Sequence, residues 1–121
     1  MTVFKKKVSE PWFTLIKKGK KTVEGRLDKG DFSEMEVGDV VIWSNGDDLK
    51  SKNIKTKIKK VTRYKTLYEM IKKERLKNVL PSPKIKTIQE GVNRVYRSPP
   101  VNYTYEKEKK YGVLAIEIEK I

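Results

Sequence analysis

The chain has 121 residues, 36% hydrophobic and 37% charged, with a formal net charge of +13 at pH 7, a size that fits one domain around one compact core. It contains no cysteine and no histidine, which excludes disulfide-linked partners, thiolate chemistry, a histidine general base, a Ser-His-Asp triad and the usual His/Cys zinc sites. No apolar run approaches the ~18 residues of a membrane span, and Lys5-Lys6-Lys7 is not followed by the apolar segment of a secretory signal, so a cytoplasmic protein is expected.

Residues 3 to 8 alternate weakly and read as a strand. Ser9 is placed to cap a helix carrying Trp12, Leu15 and Ile16, with Gly19 as its stop. Residues 22 to 27 read as a second strand, on which Thr22, Glu24 and Arg26 share a face, with Lys21 at its edge able to fold toward that face. An acidic loop or short turn spans residues 28 to 36. Val40 to Trp43 is a buried strand, and Asn45-Gly46 signals a hairpin turn. Residues 53 to 64 form the next strand, with Ile54, Thr56 and Ile58 on one face and Lys55, Lys57 and Lys59 on the other. The paired Lys59-Lys60 breaks that alternation and predicts a β-bulge. Two capping boxes follow: Thr66 with Glu69 opens a helix of Leu67, Met70 and Ile71, and Thr87 with Glu90 opens one of Ile88, Val92 and Val95. Pro81 and Pro83 separate them. Residues 97 to 103 form a loop, and Thr104 caps a short polar helix before a closing strand.

Charge is unevenly distributed. Residues 28 to 48 carry seven acids and one base, whereas residues 49 to 86 carry fourteen bases and two acids. Of the 29 basic residues 24 are lysine, a bias that genome composition or a hot habitat also produces, although such proteomes enrich glutamate as well. A regional excess of this kind favours a polyanionic partner, with nucleic acid foremost.

Three stretches form a family pattern. Gly19, Lys21, Glu24 and Arg26 spell G-x-K-x-x-E-x-R directly after the first predicted helix. Glu36-Val37-Gly38-Asp39 leads into the strand Val40-Val41-Ile42, and Lys110-Tyr111-Gly112 leads into the closing strand Val113-Leu114-Ala115-Ile116-Glu117-Ile118. In this order, over nearly the whole chain, they resemble the ASCH domain. The resemblance implies an α+β fold: a PUA-like twisted β-barrel with helices packed at its openings, forming a single domain over residues 1–121. It implies RNA binding as the function, with hydrolysis of acetylated cytidine or cleavage of RNA in some branches.

The signature places a polar cleft between the first helix, the strand of residues 22 to 27 and the helical insert, with Lys20, Lys21, Thr22, Glu24 and Arg26 as candidate contacts to RNA or a nucleotide. Arg26 would hold a phosphate or base edge with its planar fork, Lys21 would supply a compact charge, and Glu24 would accept from an exocyclic amine. The plainer alternative is a surface Glu24–Arg26 pair. Lys21 and Arg26 are expected at a solvated mouth, where alanine shifts the melting temperature by only a few degrees.

A hydrolase would use Lys21 and Glu24, with Glu74 (or Glu69) as a further carboxylate. The acetylcytidine hydrolases carry K-T-x-T-x-R, however, and here Glu24 stands at the second threonine. A lysine base also needs a depressed pKa, which Lys20 promotes and Glu24 opposes.

Outside the cleft, Lys55, Lys57 and Lys59, with Lys50, Lys52, Lys60 and Arg63 nearby, read as a phosphate track or as a lysine-guarded edge strand, two compatible readings. Tyr64, Tyr96 and Tyr103 are stacking candidates, with Arg97 leading into the proline loop, or else half-buried tyrosines with wet hydroxyls. Trp12 and Trp43 belong to the core. No cofactor is called for, and a metal would need oxygen ligands. Three function classes stand: an RNA- or nucleotide-binding module, a small hydrolase in the same cleft, and a scaffold for acidic proteins.

Overall fold

The computed structural model describes residues 1–96 and 103–121. Five strands, β1 (Val3–Val8), β2 (Val23–Leu27), β3 (Val40–Asn45), β4 (Ile54–Tyr64) and β5 (Val113–Lys120), form one sheet in the order β1-β3-β4-β5-β2. β1 runs parallel to β3, and the other pairs are antiparallel. The sheet curls into a half-barrel, in keeping with the PUA-like expectation. Among the described residues five α-helices accompany it: α1 (Trp12–Lys17), α2 (Leu67–Glu74), α3 (Leu76–Val79), α4 (Ile88–Tyr96) and α5 (Tyr105–Tyr111). None of them is long and apolar enough to cross a membrane.

The alternation in β4 does what period two requires. Ile54, Thr56 and Ile58 are buried, Lys55, Lys57 and Lys59 are exposed, and the register with β5 shifts between Ile58 and Lys60 as the doubled lysine predicts. Thr66 caps α2 and Thr104 caps α5, accepting the N–H of Glu69 and Lys107 at 3.1 and 3.2 Å. The Thr87–Glu90 box forms as well. Gly19 takes a φ of 76° just past α1, a backbone that favours glycine. Gly25 lets β2 approach α2 closely, since a Cβ there would lie 2.5 Å from Cε of the buried Met70.

Three local expectations are corrected. Ser9 does not cap α1 with its side chain; the Glu10 carboxylate does the equivalent work, accepting the N–H and hydroxyl of Thr14 at 3.0 and 2.7 Å. Asn45-Gly46 is not a two-residue hairpin turn, because β3 ends at Asn45 and β4 begins only at Ile54. The Asn45 amide instead donates to Glu10 at 3.0 Å, tying the end of β3 to the start of α1. β4 is not an edge strand: β3 and β5 flank it, and the edges are β1 and β2. Its lysines therefore do not serve to protect an open edge.

β1 and β2 do not exchange backbone hydrogen bonds, yet they face each other across the opening of the half-barrel. Arg26 spans this seam, donating from Nη2 to the Lys7 carbonyl at 2.9 Å. Trp12, Phe13 and Ile16 of α1 and Met70 and Ile71 of α2 complete a core with Phe4, Val41, Trp43, Ile54, Ile58, Leu114 and Ile116.

Candidate nucleic-acid cleft

Lys21, Glu24 and Arg26 come together on one wall of the seam, but Lys21 is not at a solvated mouth. It is 3% exposed and Glu24 7%. The turn after Gly19 folds Lys21 inward, where Nζ lies 3.2 Å from Glu24 Oε1 and donates to the backbone carbonyls of Val23, at 2.8 Å, and Val79. Those three acceptors match the three protons of an ammonium. Its Nζ also sits 5.6 Å from the centre of the Trp12 ring. The placement of Lys21 at a solvated mouth is overturned, and with it the reason for expecting Lys21→Ala to be mild, because the carboxylate it neutralises is buried.

Arg26 engages the other carboxylate oxygen. Its Nε and Nη2 lie 2.9 and 2.8 Å from Glu24 Oε2, and its guanidinium packs 4.9 Å from the Phe32 ring centre and 5.8 Å from that of Trp43. Glu24 is thus the hub of a Lys–Glu–Arg triad. Burial pushes its carboxyl up, but Lys21 and Arg26 outweigh burial and hold it below the usual glutamate value. Burial lowers the Lys21 ammonium below the usual lysine value, and Glu24 opposes that. Arg26 remains about a third exposed and Lys21 is nearly covered, although both border the cleft.

The triad faces a cleft of about 770 Å³ whose walls draw on Lys6 and Lys7 of β1, Glu24 and Arg26 of β2, Trp12, Phe32, Leu80 and Tyr103. Its lining also includes the apolar Leu27, Leu67, Met70 and Val79. Lys6 is paired with Asp31 at 2.9 Å, in the 3-10 turn Gly30–Glu34 that forms within the expected acidic loop or short turn.

The remaining candidates separate by location. Lys20 is exposed beside the triad, and Thr22 is half-buried, its backbone paired with Asn78 and Ile118. Glu74 does not line the cleft; it accepts from the Tyr64 hydroxyl, and burial together with that carboxylate raises the Tyr64 pKa to about 12. Lys55, Lys57 and Lys59 point away from the core on β4, and Arg63 is paired with Asp28 at 3.0 Å. Arg97 lies outside the described residues.

The hydroxyls of these half-buried tyrosines have partners inside the protein. Tyr96 and Tyr103 both donate to Glu108, at 2.9 and 2.7 Å, and that carboxylate also accepts the Leu67 N–H at 3.3 Å. Glu108 is 5% exposed and was missed in the sequence, where it reads as one more surface charge on a polar helix. No local signal marks it, since its partners lie on other elements. Lys6 and Lys7 were missed too, for want of any indication that β1 borders the cleft, and Phe32 because nothing local places the 3-10 turn against it.

The electrostatics predict an acid-labile fold. A carboxyl whose folded pKa lies below its unfolded value stabilises the fold above the unfolded value and loses that contribution as pH falls through the folded one. Glu24 is such a group, and so is Asp39, whose carboxylate accepts the N–H of Thr2 and Glu36 at 2.9 and 3.0 Å. The urea midpoint should hold from neutral pH to about 5 and drop below about 4, the usual range of unfolded carboxyls. A midpoint unchanged at pH 3 would show that these pairings contribute nothing.

The ASCH domain model matches residues 7–121. Two solved structures are similar along their whole length. One is the crystal structure of hypothetical protein PH0355, with a TM-score of 0.84 and 38% identity, covering 99% of this chain and 100% of that one. The other is the solution structure of protein PF0455 from Pyrococcus furiosus, with a TM-score of 0.73 and 38% identity, covering 99% and 98%. A search of curated proteins finds no match. Sequence pattern, half-barrel and full-length structural likeness agree: the chain belongs to the ASCH domain family.

Proposed function

We propose that this chain binds single-stranded RNA and seats one base in the cleft against Glu24. The ASCH family is generally thought to bind RNA. The observation that carries the finer reading is the ionised Glu24 carboxylate, fixed between Lys21 and Arg26 on the wall of a cleft also lined by Trp12, Phe32 and Tyr103. A carboxylate only accepts hydrogen bonds, and Oε1 takes one, from Lys21, so capacity remains for the exocyclic amine of a base. The aromatic lining suits a planar ring, which stacks without regard to sequence.

The full engagement of Lys21 supports binding over hydrolysis. A lysine base needs a free lone pair, whereas this ammonium is committed to Glu24 and two carbonyls. Glu24 also occupies the position where the acetylcytidine hydrolases carry threonine.

Titration with the four nucleoside monophosphates, followed by tryptophan fluorescence because Trp12 lines the cleft, tests this. Cytidine, adenosine and guanosine monophosphates carry an exocyclic amine and uridine monophosphate does not. A hydrogen bond to a charged acceptor is worth about 1.5–3 kcal/mol, so the amine-bearing nucleotides should bind at least ~10-fold more tightly. Equal affinity for uridine monophosphate would remove Glu24 from base recognition.

A further inference from the structure

The cations deepest in the cleft and those that face solvent differ in one respect. Deep in the cleft, Lys21 and Arg26 are paired with Glu24, and Lys6 with Asp31, whereas Lys7 and Lys29 at its rim have no ion-pair partner among the described residues. On the outer face of the half-barrel, Lys5, Lys7, Lys55 and Lys57 are exposed, and none has an ion-pair partner among the described residues. The strand register relates these four. Lys5 is aligned with Ile42 and Ile42 with Lys55, so one row across β1, β3 and β4 carries a lysine at each end. Strands lie ~4.8 Å apart, which puts the two backbones about 10 Å from each other. Lys7 and Lys57 lie two residues away along β1 and β4 on opposite sides of that row, each about 7 Å from it by strand rise, so the four lysines form a diagonal. Between them Val40 is buried and Ile42 and Ser44 are half-buried, so no other charge interrupts the field.

The field has borders. On the β5 side Glu119 is aligned with Lys57 and lies 3.6 Å from Lys59. Past the end of β3, Asp47 and Asp48 close it. On the β1 side it meets the cleft, because Lys7 belongs to the cleft rim and its carbonyl receives Arg26.

We infer that the RNA strand leaves the cleft over β1, with its phosphates running from Lys7 past Lys5 and across β3 to Lys55 and Lys57. The ligand is then a single strand of several nucleotides and not a free nucleotide. This rests on the proposed seating of a base in the cleft, and it adds the phosphate path, its direction and the lysines of β1. Phosphates are drawn to the unpaired cations outside the cleft, while the paired triad inside selects the base.

The test compares cytidine monophosphate with an oligocytidine octamer at several salt concentrations. Wild-type protein should bind the octamer at least ~10-fold more tightly at 0.1 M salt, with a log–log slope of about −2 to −4 for three to six phosphate contacts. Lys5→Gln should lower the octamer-to-mononucleotide affinity ratio about fivefold at that salt and flatten the slope by about 0.7, the value of one single-strand contact. Adding Lys55→Gln should repeat both effects. Lys109→Gln, an exposed lysine of α5, removes the same charge off the path and should leave the ratio unchanged. The path is wrong if Lys5→Gln keeps the wild-type ratio, if Lys109→Gln lowers it equally, or if polyglutamate or a duplex of the same length competes as well as the octamer. Failure of wild-type protein to bind any mononucleotide, with octamer binding still dependent on Lys5, would overturn the seating of a base in the cleft while leaving the lysine track in place.

Discussion

Lys21→Ala is expected to lower stability by about 3–5 kcal/mol, the cost of stripping one partner from a buried ion pair. The substitution leaves Glu24, 7% exposed, without its buried cation, and it leaves the carbonyls of Val23 and Val79 without their donor. Arg26 cannot take over at Oε1, because it approaches the carboxylate from the Oε2 side and is itself stretched to Lys7. A loss of that size should lower the melting temperature by roughly 10–20 °C. Lys21→Met preserves much of the stem against Trp12 and should cost nearly as much, which separates charge from packing. Lys21→Met combined with Glu24→Gln should recover part of the loss, since removing both charges is milder than orphaning one. Thermal melts of the three variants decide the matter. If Lys21→Met melts within 2–3 °C of wild type, under about 1 kcal/mol, Glu24 finds another counter-ion or takes up a proton, and the triad is not what holds β2 against the insert.

What the sequence disclosed and what it concealed divide along a physical line. Signals confined to a few neighbouring residues survived: the threonine caps at Thr66 and Thr104, the stop at Gly19, the alternation of Ile54, Thr56 and Ile58 against three lysines, and the bulge at the doubled lysine. These depend on local backbone geometry, which tertiary structure modifies but rarely reverses. Lys21 failed because its surroundings are not local. It follows two residues of a helix-ending turn and another lysine, which reads as solvent, yet the carbonyl that holds it belongs to Val79, 58 positions downstream. Glu108 failed for the same reason, with its three donors on α2, on α4 and at Tyr103. The edge reading of β4 failed because strand order is set by β5, at the far end of the chain. The family signature pointed to Lys21, Glu24 and Arg26, which the structure brings together, but nothing in G-x-K-x-x-E-x-R says that its lysine is buried and its arginine partly open.

Trp43→Ala should be as damaging as the loss of Lys21, by a different route. Trp43 is 0% exposed, and truncating a buried aromatic costs about 3–5 kcal/mol, a large share of the 5–15 kcal/mol that holds a domain together. The indole is also a polar anchor. Its Nε1–H donates to the Thr56 hydroxyl at 2.9 Å, and that hydroxyl donates to the Val41 carbonyl at 2.9 Å, so β3 and β4 are tied through side chains inside the core. Trp43→Phe removes the donor and keeps most of the ring. It should cost about 1–2 kcal/mol, one hydrogen bond plus a smaller side chain. The ring also supports Arg26, 5.8 Å away, and therefore the arginine end of the triad. Because it is sealed from solvent it cannot stack on a base, so Trp43→Phe should bind nucleotide nearly as wild type does when assayed well below its melting temperature. Trp12 differs, since it borders the cleft. Urea denaturation and nucleotide titration on the same samples distinguish the roles. A Trp43→Phe variant that is as stable as wild type but no longer binds would make Trp43 a contact residue and would require the cleft to open deeper into the half-barrel than its walls now allow.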